Sequence, residues 1–163
     1  MSEHKIFLRL AEETDAWVIS AIHIAAIKAL PTTFYTRKQL LAWRNYRDKP
    51  NSKNILQNMQ AETFWVAVEN NLLTGFASFI VDELIALYVH PYYQGRGIGR
   101  ALVTHFCQEA AEQGLGQVIT TASLYAEGFY SQLGFTAIKR APHQLGTGIV
   151  VPVTKMSKNL TTA

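Results

Sequence analysis

The chain has 163 residues, 48% hydrophobic and only 17% charged, which suits one domain of ordinary size (~100–200 residues) and leaves no room for a second catalytic one. Fifteen Lys and Arg against twelve Asp and Glu give +3, but the excess is spread without a run of like charges, so it makes no basic stripe and argues against nucleic acid as a partner. A single cysteine, Cys107, an N-terminus without an apolar signal core, and a longest apolar stretch, Trp17 to Leu30, broken by His23 and Lys28 lead us to expect a cytoplasmic chain that does not span a membrane.

Lys5 to Leu10 reads as a first strand. Thr14 offers a hydroxyl cap ahead of Ile19, Ile22, Ala26 and Ala29, whose spacing predicts an amphipathic helix ending before Pro31. Thr36 opens a second helical stretch with Leu40, Leu41 and Trp43, which Asp48-Lys49-Pro50-Asn51 interrupts. Phe64–Val68 and Leu73–Val81 flank Glu69-Asn70-Asn71-Leu72 as an antiparallel hairpin. Leu84 to Val89 is apolar without alternation, the pattern of a central strand buried on both faces. After Pro91 and a glycine-rich stretch, a helix through Leu102, Val103, Phe106 and Ala110 stops at Gly114. Gln117–Thr121 is the next strand, so Leu84–Thr121 forms a βαβ unit with parallel strands. Ala126–Leu133 is a short helix capped by Gly134, and Phe135–Lys139 and Gly148–Met156 are closing strands around a mobile Gly146-Thr147-Gly148 region.

The segment that carries chemistry is Gln94-Gly95-Arg96-Gly97-Ile98-Gly99-Arg100, between the buried strand and a helix start. Its glycines let the backbone approach a ligand closely, and the first helical N–H groups point outward with a partial positive charge behind them. This is a place for phosphate oxygens. A dinucleotide site fits badly, because the spacing is Gly-x-Gly-x-Gly and the strand ending at Thr121-Ala122 carries no acidic residue for a ribose. A Walker loop would need Gly-Lys-Ser/Thr, which is missing.

Leu84–Val89 followed by His90-Pro91-Tyr92-Tyr93-Gln94-Gly95-Arg96-Gly97-Ile98-Gly99-Arg100-Ala101-Leu102 resembles the acyl-CoA binding signature of the GNAT N-acetyltransferase superfamily, Gln/Arg-x-x-Gly-x-Gly/Ala, with Gln94, Gly97 and Gly99 at its defining positions. A second family segment, aromatic-Tyr-x-x-Leu-Gly-Phe, is matched by Phe129-Tyr130-Ser131-Gln132-Leu133-Gly134-Phe135. The two stand in family order and spacing, so the resemblance spans residues 5 to 157 and one domain over 1–163. It implies an α+β fold with a mixed, mostly antiparallel sheet of about six or seven strands flanked by helices, splayed into a V between its two parallel central strands. Acetyl-CoA would fill that cleft as co-substrate, with no metal. The resemblance lays the pantetheine along Leu87, Tyr88 and Val89, and the pyrophosphate on Gln94, Gly95, Arg96, Gly97, Ile98, Gly99 and Arg100. Ser123 stands where much of the family has a cofactor-touching asparagine.

By the same resemblance Tyr130 is the proton donor to the leaving thiolate and Glu83 the candidate base, with Asp82 second. Parity puts Glu83, Ile85, Leu87 and Val89 on one side of an unbroken strand, where ~13 Å separates Glu83 from Leu87, so Glu83 reaches the amine only through a bulge or a water relay. The histidines sit in unrelated segments and make no metal set, and Cys107, among apolar helix neighbours, is no acyl carrier. The expected partner is a small-molecule or peptide amine, walled by residues 20–45 and 141–148 with Tyr35, Trp43 and His143 in reach; a homodimer is left open. Two other classes stay in view: a catalytically silent acyl-CoA sensor and, more weakly, a nucleotide-dependent oxidoreductase.

Overall fold

The computed structural model describes residues 5–161. Met1–His4, most of the segment read above for a signal core, and Thr162–Ala163 lie outside the described residues. Seven strands form one sheet: β1 (Phe7–Leu10), β2 (Thr63–Glu69), β3 (Leu72–Ile80), β4 (Glu83–Val89), β5 (Gln117–Ser123), β6 (Thr136–Gln144) and β7 (Val150–Asn159). Their order is β1-β2-β3-β4-β5-β7-β6, antiparallel except for β4–β5. The helices are α1 (Ala16–Lys28), α2 (Arg37–Trp43), α3 (Ser52–Asn58), α4 (Ile98–Glu112) and α5 (Glu127–Gln132). No helix among the described residues is long and apolar enough to cross a membrane. The mixed sheet, the parallel pair and the flanking helices are those expected.

Helices cover both sheet faces, and strand alternation assigns the side chains. Phe64 and Val66 of β2 meet Ile19 and Ile22 of α1, with Ile55 and Met59 from the α3 region alongside. The intervening Trp65 and Ala67 turn to the other face, where Leu102, Val103 and Phe106 of α4 and Tyr130 of α5 pack. The β2–β3 hairpin turns on Asn70 and Asn71, with φ of 51° and 63°, the left-handed pair that a two-residue turn between twisted strands demands and that asparagine tolerates. Gly134, at φ 91°, ends α5 in the same double hydrogen-bond pattern that Gly114 makes after α4: Phe135 N–H donates to Tyr130 C=O and Gly134 N–H to Ser131 C=O.

The parallel ladder between β4 and β5 holds only two register pairs, Glu83–Ile119 and Leu84–Thr120. Ile119 N–H donates to the Asp82 carbonyl (2.8 Å) and Thr120 Oγ1 to the Leu84 carbonyl (3.0 Å). Beyond these pairs the strands part. On the other side of β4, Ser78 pairs with Ala86 but Phe79 with Leu84, so Ile85 is an extra residue, a β-bulge. This overturns the parity read for an unbroken strand. Leu84 and Leu87 both join the α4 core, while Ala86 and Tyr88 face α1, and Glu83, in register with Ile119, falls on the α1 side. The expected burial of β4 on both faces is also corrected: Leu84 is buried, but Ile85 is 41% exposed and Ala86–Val89 are half-buried, because they border the gap between the strands.

Three further expectations change. Thr14 lies inside a 3-10 turn (Glu13–Asp15), and the helix start is fastened by Asp15, whose Oδ2 accepts from Glu12 N–H at 2.7 Å while Arg9 donates to both its oxygens. An unexpected helix, α3, follows the predicted break at residues 48–51, with Asn51 capping the Lys53 N–H. β6 runs five residues past Lys139, to Gln144, as the exposed edge strand, where Pro142 is tolerated because one side of the strand needs no donors. The Tyr35 phenol ties these layers together: it accepts from Leu124 N–H (2.8 Å) and donates to the Pro152 carbonyl (2.7 Å) at 2% exposure. Tyr35→Phe leaves both backbone groups unpaired, and we expect urea unfolding to show a loss of about 1–3 kcal/mol.

Candidate active site

The chain leaves β4 through a 3-10 turn (Pro91–Tyr93) and enters α4 through the glycine loop. Gly97 is the N-cap of α4 at φ 84°, a left-handed conformation that costs a side-chain-bearing residue roughly 1–2 kcal/mol. It leaves the first N–H groups of a 15-residue helix without a side-chain cap, aimed toward a ligand. Gln94 closes the loop by donating from Nε2 to the Val89 carbonyl (3.3 Å). A cavity of about 560 Å³ runs along this loop, walled by Leu87–Val89, Gln94, Gly95, Gly97–Arg100, Ser123 and Tyr130. Gly99 is needed for a different reason from Gly97: a Cβ there would stand 3.2 Å from the Phe129 ring, so its bare backbone lets α4 and α5 close the cleft floor.

Arg96 is the one loop side chain that does not line this cleft. Its Nη1 donates to Glu69 Oε1 at 2.8 Å, and its guanidinium lies 5.1 Å from the centre of the Tyr93 ring. Glu69, at the end of β2, is 2% exposed. A buried carboxylate is held only by partners of this kind, so the pair ties the loop to the first hairpin. The Arg96 backbone remains beside its neighbours in the loop; its side chain serves the loop's position.

A second cavity, about 330 Å³, occupies the V itself and is lined by Trp43, Glu83–Tyr88, Thr120–Ser123, Ala126, Tyr130, His143 and Val153. Leu87, Tyr88, Ser123, Ala126 and Tyr130 wall both this space and the glycine-loop cleft. Glu83 and Tyr130, far apart in sequence, therefore face one chamber. Tyr130 is 5% exposed, and burial raises its phenol pKa well above the usual value, against the smaller opposing effect of a hydrogen bond to Thr120. The phenol is thus held protonated at neutral pH. Tyr88, pushed up to about 12 by burial, accepts a hydrogen bond from Trp43 Nε1 at 3.1 Å. Tyr125, a second phenol at the cleft, gives its hydroxyl to the Pro31 carbonyl. Tyr35, expected near the acceptor, lines neither chamber.

A third cavity, about 610 Å³, opens on the α1–α3 face and meets the second at Ile85, Ala86 and Tyr88. Its wall includes His23 and Arg44 from the expected 20–45 segment and Gly146 from the expected 141–148 loop, together with Arg47 and Ser78, which the sequence does not mark as functional. His23 stands edge-on to Tyr88 at 4.7 Å, and burial lowers its pKa to about 4. Among the described residues no group of three or more His, Cys, Asp or Glu side chains is placed to hold a metal ion. Cys107 sits within α4, its thiol pushed up by burial.

Two outcomes follow from this geometry. Glu69→Gln or Arg96→Gln should loosen the loop and weaken binding of coenzyme A or another phosphate ligand severalfold by calorimetry, although neither side chain lines the cleft. His23 binds no proton in the fold until about pH 4 but does so near 6.5 when unfolded, so the unfolded state binds more protons between those values and stability falls as pH is lowered through them. The melting temperature should drop across that window, and less so in His23→Leu.

The family described as acetyltransferase (GNAT) domain matches residues 32–160. An L-methionine sulfoximine/L-methionine sulfone acetyltransferase of Salmonella typhimurium is 30% identical over 155 residues, covering 83% of this chain and 82% of its own. A GCN5-related N-acetyltransferase from Rhodopseudomonas palustris superposes with a TM-score of 0.90 at 28% identity, covering 98% of this chain and 99% of its own. The Salmonella typhimurium protein yncA, solved with its cofactor acetyl-CoA, shares the fold at TM-score 0.69 and 24% identity over 97% of this chain and 95% of its own. The helix-capped glycine loop, the opened parallel strands and these likenesses agree: the chain belongs to the GNAT N-acetyltransferase family.

Proposed function

We propose that the protein transfers the acetyl group of acetyl-CoA to a primary amine of a small-molecule or peptide acceptor, by direct attack in a ternary complex. The observation that carries this reading is the shared wall: Leu87, Tyr88 and Tyr130 border both the glycine-loop cleft and the chamber that Glu83 lines. Two substrates entering from opposite sides meet there. The Salmonella relative is named for acetylating small amino-acid derivatives, which supports a small acceptor.

The amine must lose a proton before it attacks. The bulge at Ile85 turns Glu83 to the face of Ala86 and Tyr88, where its carboxylate takes that proton directly or through water. The amine nitrogen then bonds to the thioester carbon, whose oxygen becomes an oxyanion received by a β4 backbone N–H. The C–S bond breaks as the carbonyl reforms, the thiolate takes the proton that burial keeps on Tyr130, and the second proton, which the nitrogen sheds in becoming an amide, returns through water to the Tyr130 phenoxide. The acetyl-carrying cleft fits such a substrate: helix N–H groups and glycines at one end for phosphates, and the half-buried β4 residues for an amide chain.

Thermal-shift and calorimetric titration with acetyl-CoA, CoA, NADH and ATP tests the cleft, with selective stabilisation by acetyl-CoA and CoA expected. Tyr130→Phe should lower kcat about 10- to 100-fold in a thiol-release assay while the dissociation constant for acetyl-CoA changes less than about twofold. Binding without turnover across an amine panel would make the chain an acyl-CoA sensor, and a response to NADH alone would return it to the oxidoreductases.

A further inference from the structure

We propose that the acceptor carries an oxyanion, a carboxylate above all, together with its amine, and that Arg44, Arg47 and Ser78 receive it in the cavity on the α1–α3 face. This rests on the acetyltransferase reading above and adds to it the chemical class of the acceptor.

The cavity and the reaction chamber share Ile85, Ala86 and Tyr88 as wall residues, so a molecule seated in it lies against the strand segment that borders the reacting centre. Two guanidiniums stand in its wall against one carboxylate, Glu62. Arg44 gives one nitrogen to Asp48 (Nη2 to Oδ1, 3.1 Å), an exposed acid that Lys28 also holds at 3.1 Å. Its buried Nε donates to nothing. Arg47 makes no ion pair among the described residues. The local balance of Lys28, Arg44 and Arg47 against Asp48 and Glu62 is cationic, and His23 beside them stays neutral at pH 7.

The second observation comes from the sheet floor. Ser78 of β3 is 0% exposed, lines this cavity, and its hydroxyl has no hydrogen-bond partner. A buried unpaired hydroxyl costs stability, and a serine hydroxyl turns readily about its single side-chain bond to meet an acceptor atom brought from outside. The third is strain: Asn45 and Tyr46 both adopt φ of 56°, a conformation that tyrosine takes only at a cost. That kink ends α2 and carries Arg44, Asn45 and Arg47 to the cavity wall, and strain of this sort gathers where a binding site is shaped. Ile24, Ile55, Phe64 and Phe76 supply an apolar part to the same space, so the acceptor pairs its oxyanion with an apolar body. A polyamine would meet two like charges there.

The test uses the full chain, acetyl-CoA and a thiol-release assay on matched amines: each common L-amino acid against its amide, glucosamine against glucosamine 6-phosphate, and spermidine. We expect at least one amino acid to exceed its amide by tenfold or more in kcat/KM, the size of a charge-assisted contact. Arg44→Gln and Arg47→Gln should remove most of that preference through KM, with the dissociation constant for acetyl-CoA unaltered. Because Arg44→Gln also breaks the Asp48 pair, Ser78→Ala serves as control: it should leave the melting temperature equal or higher, since no protein contact is lost, yet raise acceptor KM severalfold. Preference for the sugar phosphate over every amino acid would keep the oxyanion site and make its guest a phosphate. Equal rates on acids and amides, or fastest turnover of spermidine, would overturn the proposal while leaving the acetyltransferase standing. Failure to bind acetyl-CoA would remove both.

Discussion

The parallel ladder of β4 and β5 stops after Glu83–Ile119 and Leu84–Thr120, and the chamber between the two strands depends on that stop. A parallel sheet that kept pairing would bury β4 on both sides and leave no room between its strands. Here the Thr120 hydroxyl and the Ile119 N–H secure the closed end, so the opening starts at a defined residue. The bulge at Ile85 sits at the same point. One extra residue, placed where the ladder ends, both bends the strand and exchanges which side chains face which helices. Glu83 thereby shares a face with Tyr88, and Leu87 remains with α4.

Electrostatics then divides the labour between the two flanks. On the α4 side the anion-attracting elements are backbone N–H groups presented by Gly97, steadied by the ion pair of half-buried Arg96 with buried Glu69. Fixed backbone dipoles need no reorganisation when a phosphate arrives. At the centre, Tyr130 and Tyr88 are both raised by burial, so the chamber presents neutral phenols where charge develops during acyl transfer. On the α1–α3 side the cations are side chains, Arg44 and Arg47, whose directional forks suit a planar anion.

Local patterns carried most of the fold in readable form. The hairpin around Asn70-Asn71 and the glycine-capped helices are legible because each depends on residues within a few positions of one another, and the βαβ unit because the chain order strand, helix, strand itself dictates a parallel crossover. The capping of α2 by Thr36, which accepts from Gln39 N–H at 3.1 Å, is of the same kind. What escaped depends on distance. The bulge at Ile85 exists only relative to β3 and leaves no mark in an apolar run. Arg96 looks like a phosphate ligand until Glu69, 27 residues earlier, claims its side chain. Helix α3 buries no residue fully, so its apolar stripe is too thin to announce a helix against its polar neighbours. The apolar run at Leu84–Val89 signalled burial correctly in kind, but the cover on one flank is a cavity rather than a neighbouring strand.

Tyr88 has a position with an evolutionary consequence. It borders all three cavities, so a change there resizes all three spaces together, and none of them can drift at that position alone. Residues 44–58, by contrast, touch only the cavity on the α1–α3 face. That segment can diversify, lengthen or shift while the reacting centre stays as it is. A lineage exploring new amines on this scaffold would accumulate its differences there, and the segment whose sequence is hardest to read is the one with most freedom to change.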